Sequence, residues 1–121
     1  MNKEKRILIV DEDKASRDML LSLLEQEGFE DLVSASNGFE SITLLEEYVV
    51  DLVIMDFQMP IMDGLTATEK IRDRGITVPI LGISTFGSAR LPFLRAGANR
   101  FCIKPVIKED LLEIMESLLG A

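Results

Sequence analysis

The 121-residue sequence predicts one α/β domain, a five-stranded parallel sheet covered by helices on both faces. Two observations carry that prediction. Short apolar, β-branched runs alternate with amphipathic helical segments five times along the chain. The strand runs are also apolar throughout rather than alternately polar, as strands buried on both faces must be.

The elements follow in order. Residues 6–10 (RILIV) form a first strand. Residues 14–27 set Met19, Leu20, Leu23 and Leu24 at helical spacing, and Gly28 ends that helix. Residues 31–35 are a short, weak strand, and residues 37–47 a helix with Ile42, Leu44 and Leu45 apolar. Residues 50–55 are a buried strand. Residues 64–73 are a helix capped by Asp63, and residues 79–83 a further apolar strand. The fourth helix, about residues 89–96, is expected to be short or mobile, because Gly87 forms helix poorly and Pro92 lacks a backbone donor. Residues 100–103 are a short strand. Residues 109–119 are a helix with Leu111, Ile114, Met115 and Leu118 on one face. Right-handed crossovers and the common strand order 2-1-3-4-5 put the functional crevice at the carboxyl ends of strands 1 and 3.

Composition narrows the function. Hydrophobic residues at 47% and charged residues at 28% describe a globular chain, not a disordered one. The longest charge-free run begins at Gly75, is interrupted by Pro79 and is too short to span a membrane. After the basic first six residues only residues 7–10 precede Asp11, so there is no signal-peptide core. One cysteine, Cys102, excludes an internal disulfide framework and points to a reducing, cytoplasmic setting. With no histidine it also leaves no zinc cluster and no Ser–His–Asp chemistry. A net charge of −8 argues against direct nucleic-acid binding.

Chemistry-bearing residues gather just past the strands: Asp11, Glu12 and Asp13 after the first, Asp56 after the third, Ser84 and Thr85 after the fourth, Lys104 and Pro105 after the fifth. A parallel sheet brings all these ends to one edge. Carboxylates crowded there repel one another unless a cation or proton offsets them. Oxygen-only ligands without histidine or cysteine suit Mg²⁺. A lysine and a hydroxyl beside it would clamp phosphoryl oxygens. The chemistry that needs this set is phosphoryl transfer to a carboxylate, and Asp56, alone at the end of the central strand, is the nucleophile expected.

Four stretches, ILIVDED (7–13), DLVIMDFQMPIMDG (51–64), ILGIS (80–84) and RAGANRFCIKP (95–105), resemble the receiver domain of two-component response regulators over essentially the whole chain, residues 1–121. The resemblance implies a flavodoxin-like three-layer fold with five helices. It implies an Asp56 phosphorylated by a sensor histidine kinase or a histidine phosphotransfer protein, with Mg²⁺ as cofactor. By position, Asp11 and Glu12 match the acidic pair that holds the metal together with Asp56, Ser84 the switch hydroxyl, Lys104 the phosphate-binding lysine and Phe101 the aromatic switch. Gln58 supplies a backbone carbonyl to the metal, and the bond before Pro105 is cis. The face made by the fourth helix, fifth strand and fifth helix then meets a downstream effector protein or domain. No nucleic acid, membrane or independent enzymatic activity is implied beyond the domain's own phosphorylation and dephosphorylation.

Three departures stand out. Glu12 occupies a position usually held by Asp, and its extra methylene pushes the carboxylate outward. Thr85, where Ala or Gly is common, narrows access to Asp56, as Gln58 does from the other loop. The fourth helix is irregular, so partner contact there is non-standard. The same residues bear on three other functions. A phosphohydrolase would carry a second Asp where Gln58 stands. A flavodoxin would need a Ser/Thr-rich loop after the first strand. A pseudo-receiver, acting without phosphorylation, has only Glu12 and Thr85 in its favour. Plainer roles are expected for Asp13 (cap of the first helix), Asp51 (surface or turn), Cys102 (inert core), and Met55, Met59 and Met62 (packing). The end of the sequence after the last helix leaves open both a stand-alone regulator and part of a longer protein.

Overall fold

The computed structural model describes residues 1–120. Its strands are β1 (Ile7–Val10), β2 (Leu32–Ala35), β3 (Leu52–Asp56), β4 (Ile80–Ser84) and β5 (Arg100–Ile103). Its helices are α1 (Lys14–Gln26), α2 (Gly38–Glu47), α3 (Gly64–Asp73), α4 (Arg90–Ala96) and α5 (Lys108–Leu119). All strand pairs are parallel, in the order β2-β1-β3-β4-β5. The parallel sheet is the one expected from the alternation, and its order gives the flavodoxin-like arrangement that the receiver resemblance implies.

The alternation of side chains along each strand divides the core in two. Leu8, Val10, Val53, Met55 and Ile80 face one side and pack with Ile42 of α2, Ala67 and Ile71 of α3 and Phe93 of α4. Ile7, Ile9, Leu52, Ile54, Leu81 and Ile83 face the other and pack with Leu20 and Leu24 of α1 and Leu111, Ile114 and Met115 of α5. Every residue of β1, β3 and β4 is buried, which explains their unbroken apolar runs.

Several boundaries and roles differ from the sequence expectation. β3 and β4 extend to Asp56 and Ser84, so both polar residues sit in the paired register, Asp56 opposite Ile83 and Ser84 opposite Ile103. β5 is an edge strand with an exposed Ile103, and Cys102 is half-buried there rather than core, although it does face the α1–α5 side. Met19, expected on the apolar face of α1, is 62% exposed. Asp13 occupies the N-cap of α1 without a side-chain capping bond. Asp63 does cap α3, accepting from the Thr66 N–H at 2.9 Å. The fourth helix is short, as expected. A 3₁₀ turn at Gly87–Ala89 leads into its seven residues, and Pro92 falls in the first turn, where its missing N–H has no intrahelical partner to lose.

Candidate functional site

The register of the parallel strands carries the chemistry to one edge. Asp11 directly follows β1, Asp56 closes β3, Ser84 closes β4 and Lys104 directly follows β5. The loop after β3 turns back tightly: the Gly64 N–H donates to the Phe57 carbonyl at 2.7 Å. A Cβ at Gly64 would collide with the Asp56 carbonyl oxygen, so this turn requires glycine. The Lys104–Pro105 peptide is cis.

Lys104 joins the two acids. Its Nζ lies 2.9 Å from Asp11 Oδ2 and 3.0 Å from Asp56 Oδ1. Asp11 is fully buried and Asp56 is 7% exposed. Burial raises the Asp56 pKa and the Asp11 carboxylate adds to the rise, against the Lys104 ammonium and the Phe57 N–H, which lower it; the net direction is up. Burial pulls Lys104 down, but its bonds to Asp11 and Asp56 outweigh that and hold it above the ordinary lysine value. Lys104 therefore stays charged at neutral pH.

The three acids do not crowd at one point. Asp11 and Asp56 meet on Lys104, while Glu12 is exposed. It lines a cleft of about 150 Å³ with Asp56, Gln58, Ser84, Thr85 and Lys104. Among the described residues no three carboxylates converge closely enough to hold a metal ion between them. The expected repulsion is met by Lys104, and the longer Glu12 side chain stands off from the pair. Ser84 is buried and its Oγ accepts from the Phe86 N–H at 3.0 Å. Thr85 is exposed at the mouth. Phe101 is half-buried and does not line the cleft. It pairs with Gly82, and its ring centroid is 6.0 Å from that of Phe93.

Three features escaped the sequence reading. The Ser16 hydroxyl donates to Asp11 Oδ2 at 2.7 Å, and Arg17 Nη1 donates to the Asp11 carbonyl at 2.7 Å. The only signal was a polar pair in the first turn of α1, which looks like ordinary solvent-facing surface. Phe93 lies between Phe57, at 6.2 Å and nearly perpendicular, and Phe101. Beside the cleft runs an apolar groove of about 350 Å³ between α1 and the residues after β5; Met19, Leu20, Leu23 and Val106 line it, and Thr85 and Lys104 are shared with the cleft.

The family model for the response regulator receiver domain matches residues 7–116. The chain belongs to that family. The receiver is 36% identical over 117 residues to the chemotaxis protein CheY of Bacillus subtilis, covering 95% of this chain and 98% of that one. It is 33% identical over 121 residues to two-component system protein A of Emericella nidulans, covering 96% of this chain but 18% of that much longer protein. Among solved structures it matches the CheX–CheY–BeF3–Mg complex of Borrelia burgdorferi with a TM-score of 0.89 at 26% identity, over 97% of this chain and 90% of that one. It also matches the receiver domain of sensor histidine kinase PA1611 of Pseudomonas aeruginosa PAO1, whose active-site cleft coordinates magnesium. There the TM-score is 0.88 at 25% identity, over 98% of this chain and 99% of that one. Receiver domains are signalling switches of two-component systems, and this chain has their CheY-like, flavodoxin-like architecture.

Proposed function

We propose that the whole chain acts as one phosphorylation-operated receiver in which Asp56 accepts the phosphoryl group. The observation that carries this reading is the Lys104 ammonium held between two buried carboxylates at the mouth of a polar cleft. A purely structural ion pair would need one acid, not two, and would not open onto Glu12, Gln58 and Ser84.

The residues fit Mg²⁺. The cleft offers the Glu12 and Asp56 carboxylates and the Gln58 carbonyl, a hard all-oxygen set, with Asp11 behind them. Burial and Asp11 raise the Asp56 pKa, which leaves negative charge that an added cation would relieve. When bound, Mg²⁺ would offset the charge of an approaching phosphoryl group. The other steps belong to the chain. An Asp56 carboxylate oxygen attacks phosphorus in line, and the bond to the donor breaks with its electron pair leaving on the donor's histidine nitrogen. No proton need leave Asp56, since it reacts as the carboxylate. Lys104 turns from its two carboxylate partners, Asp56 Oδ1 and Asp11 Oδ2, toward a phosphoryl oxygen, and the Ser84 hydroxyl turns to donate to another. Drawing Ser84 inward alters the α4-side face of β4, where Phe101 pairs with Gly82, and so biases the face of α4, β5 and α5 toward an effector protein or domain.

A sensor histidine kinase or a histidine phosphotransfer protein is the donor in this reading, which the apolar groove sharing Thr85 and Lys104 with the cleft supports by offering it a contact surface. No helix among the described residues is long and apolar enough to cross a membrane, and the single cysteine accords with a cytoplasmic site of action. The test is intact-protein mass spectrometry after acetyl phosphate treatment, with Mg²⁺ or with EDTA. One phosphoryl adduct that requires Mg²⁺ and disappears in Asp56→Asn is expected. Folded protein with no adduct in any condition favours the second reading, a pseudo-receiver, for which the outward stance of Glu12 is the specific observation.

A further inference from the structure

We infer that Ser16 is a positioning residue that frees Lys104 to bind the phosphoryl group, a role that rests on the phosphoacceptor reading of Asp56. Asp11 is fully buried, so its oxygens must find partners within the protein. Oδ1 accepts from the Asp13 N–H at 3.0 Å. Oδ2 accepts from two donors, the Ser16 hydroxyl at 2.7 Å and Lys104 Nζ at 2.9 Å.

Lys104 is the only one of these donors that phosphorylation asks to move. Its Nζ already bridges Asp11 and Asp56, and a phosphoryl group on Asp56 gives it a third acceptor. As Lys104 turns toward that group, its bond to Asp11 Oδ2 lengthens. The Ser16 hydroxyl stays and keeps the buried oxygen satisfied. Without it, every movement of Lys104 would leave a buried carboxylate oxygen bare, so Asp11 would hold the lysine back. The hydroxyl thus matters little in the resting state, where Lys104 covers Oδ2 by itself, and matters in the phosphoryl-bound state. Ser16 donates to Oδ2 and not to Oδ1, which accepts only the Asp13 N–H and keeps a free lone pair, so loss of the Ser16 hydroxyl should leave the metal's ligands in place. Arg17 donates to the Asp11 backbone carbonyl and so adds a further tie between α1 and the end of β1.

The test measures two affinities for each protein: Mg²⁺ alone, and beryllofluoride in saturating Mg²⁺ as a phosphoryl stand-in, followed by ¹⁹F NMR. Ser16→Ala should weaken beryllofluoride about tenfold, the loss expected for one buried acceptor left unsatisfied, and change Mg²⁺ affinity by less than about twofold. Ala is the stronger helix former, so α1 is retained. Ser16→Thr and Ser16→Val share one shape and differ in the hydroxyl; Thr should bind beryllofluoride as wild type does and Val as Ala does. Equal beryllofluoride affinity in Ala and wild type, parallel losses of both ligands, or equal behaviour of Thr and Val overturns the role of Ser16. Wild-type protein that binds Mg²⁺ but not beryllofluoride, and takes no phosphoryl from acetyl phosphate, overturns the phosphoacceptor reading itself and this role with it.

Discussion

At the scale of the residue, the site is a place where the fold gives up stability. Asp56 is nearly buried beside a second carboxylate, and its pKa is raised by that burial and by Asp11. A raised carboxyl favours folding while it is protonated, and that contribution is lost as pH rises through its folded value. At neutral pH the ionised Asp56 therefore weakens the fold. Asp56→Asn should stabilise the protein at pH 7 by on the order of 1 kcal/mol. The gain should shrink as pH falls through the raised Asp56 value and vanish below the ordinary carboxylate range. Lys104 keeps Asp11 as its partner in that variant, so its own contribution, lost only in strong alkali, persists. Urea unfolding of both proteins across the acid range checks this. The same residues show what a sequence can disclose. Asp56, Ser84 and Lys104 were legible because a parallel sheet brings strand ends together wherever they lie in the chain. The outward stance of Glu12 was legible too, from its extra methylene, but the bonding of Lys104 to both Asp11 and Asp56 was not, because sequence order does not say which acids a lysine at the strand ends will meet. Ser16 was hidden because a hydroxyl on a helix surface carries no period.

At the scale of the element, α4 is shaped by one exchange of volume. Gly82 lies in the middle of β4, and a Cβ there would sit 2.5–2.9 Å from three atoms of the Phe93 ring. Phe93 fills the space a side chain on β4 would occupy, and in that seat it packs near both Phe57, next to Asp56, and Phe101 on β5. Gly82→Ala should cost about 1–3 kcal/mol, the range for overpacking a filled core, because the displaced atoms belong to a ring wedged between two others. A chemical denaturation midpoint measures it, and an unchanged midpoint would show that α4 yields freely. The sequence marked α4 as irregular through Gly87 and Pro92, and it is indeed short. It did not show the pairing of Gly82 with Phe93, since their contact is set by how closely α4 lies on the sheet. Strand β5 was read correctly in extent but not in burial, because nothing in four residues tells an edge from a centre.

At the scale of the molecule, an acidic chain gathers its functional groups into one cleft that a hard cation would complete. Mg²⁺ at ten times its dissociation constant should raise folding stability by about 1.4 kcal/mol through binding to the native state alone. Thermal melting should show that shift in wild-type protein and lose it in Glu12→Gln and in Asp56→Asn, the two carboxylates that line the cleft. A shift that survives in both variants would place the cation elsewhere. The repeated alternation of elements implied a parallel sheet and so the edge that carries the site, whereas the order of its strands was expected only as the common five-strand solution, since sequence order does not give spatial order. Beyond stability, everything proposed for this receiver depends on where a phosphoryl group lands. The most direct measurement is borohydride trapping. Protein treated with acetyl phosphate and Mg²⁺ is reduced, so that an acyl phosphate becomes homoserine, then digested and sequenced by mass spectrometry. Homoserine at position 56 alone is the predicted result. Homoserine at Asp11 or Asp13, 5-hydroxynorvaline (the alcohol that a reduced glutamyl phosphate yields) at Glu12, or aspartate unchanged at position 56 in protein that carries an adduct, contradicts the account.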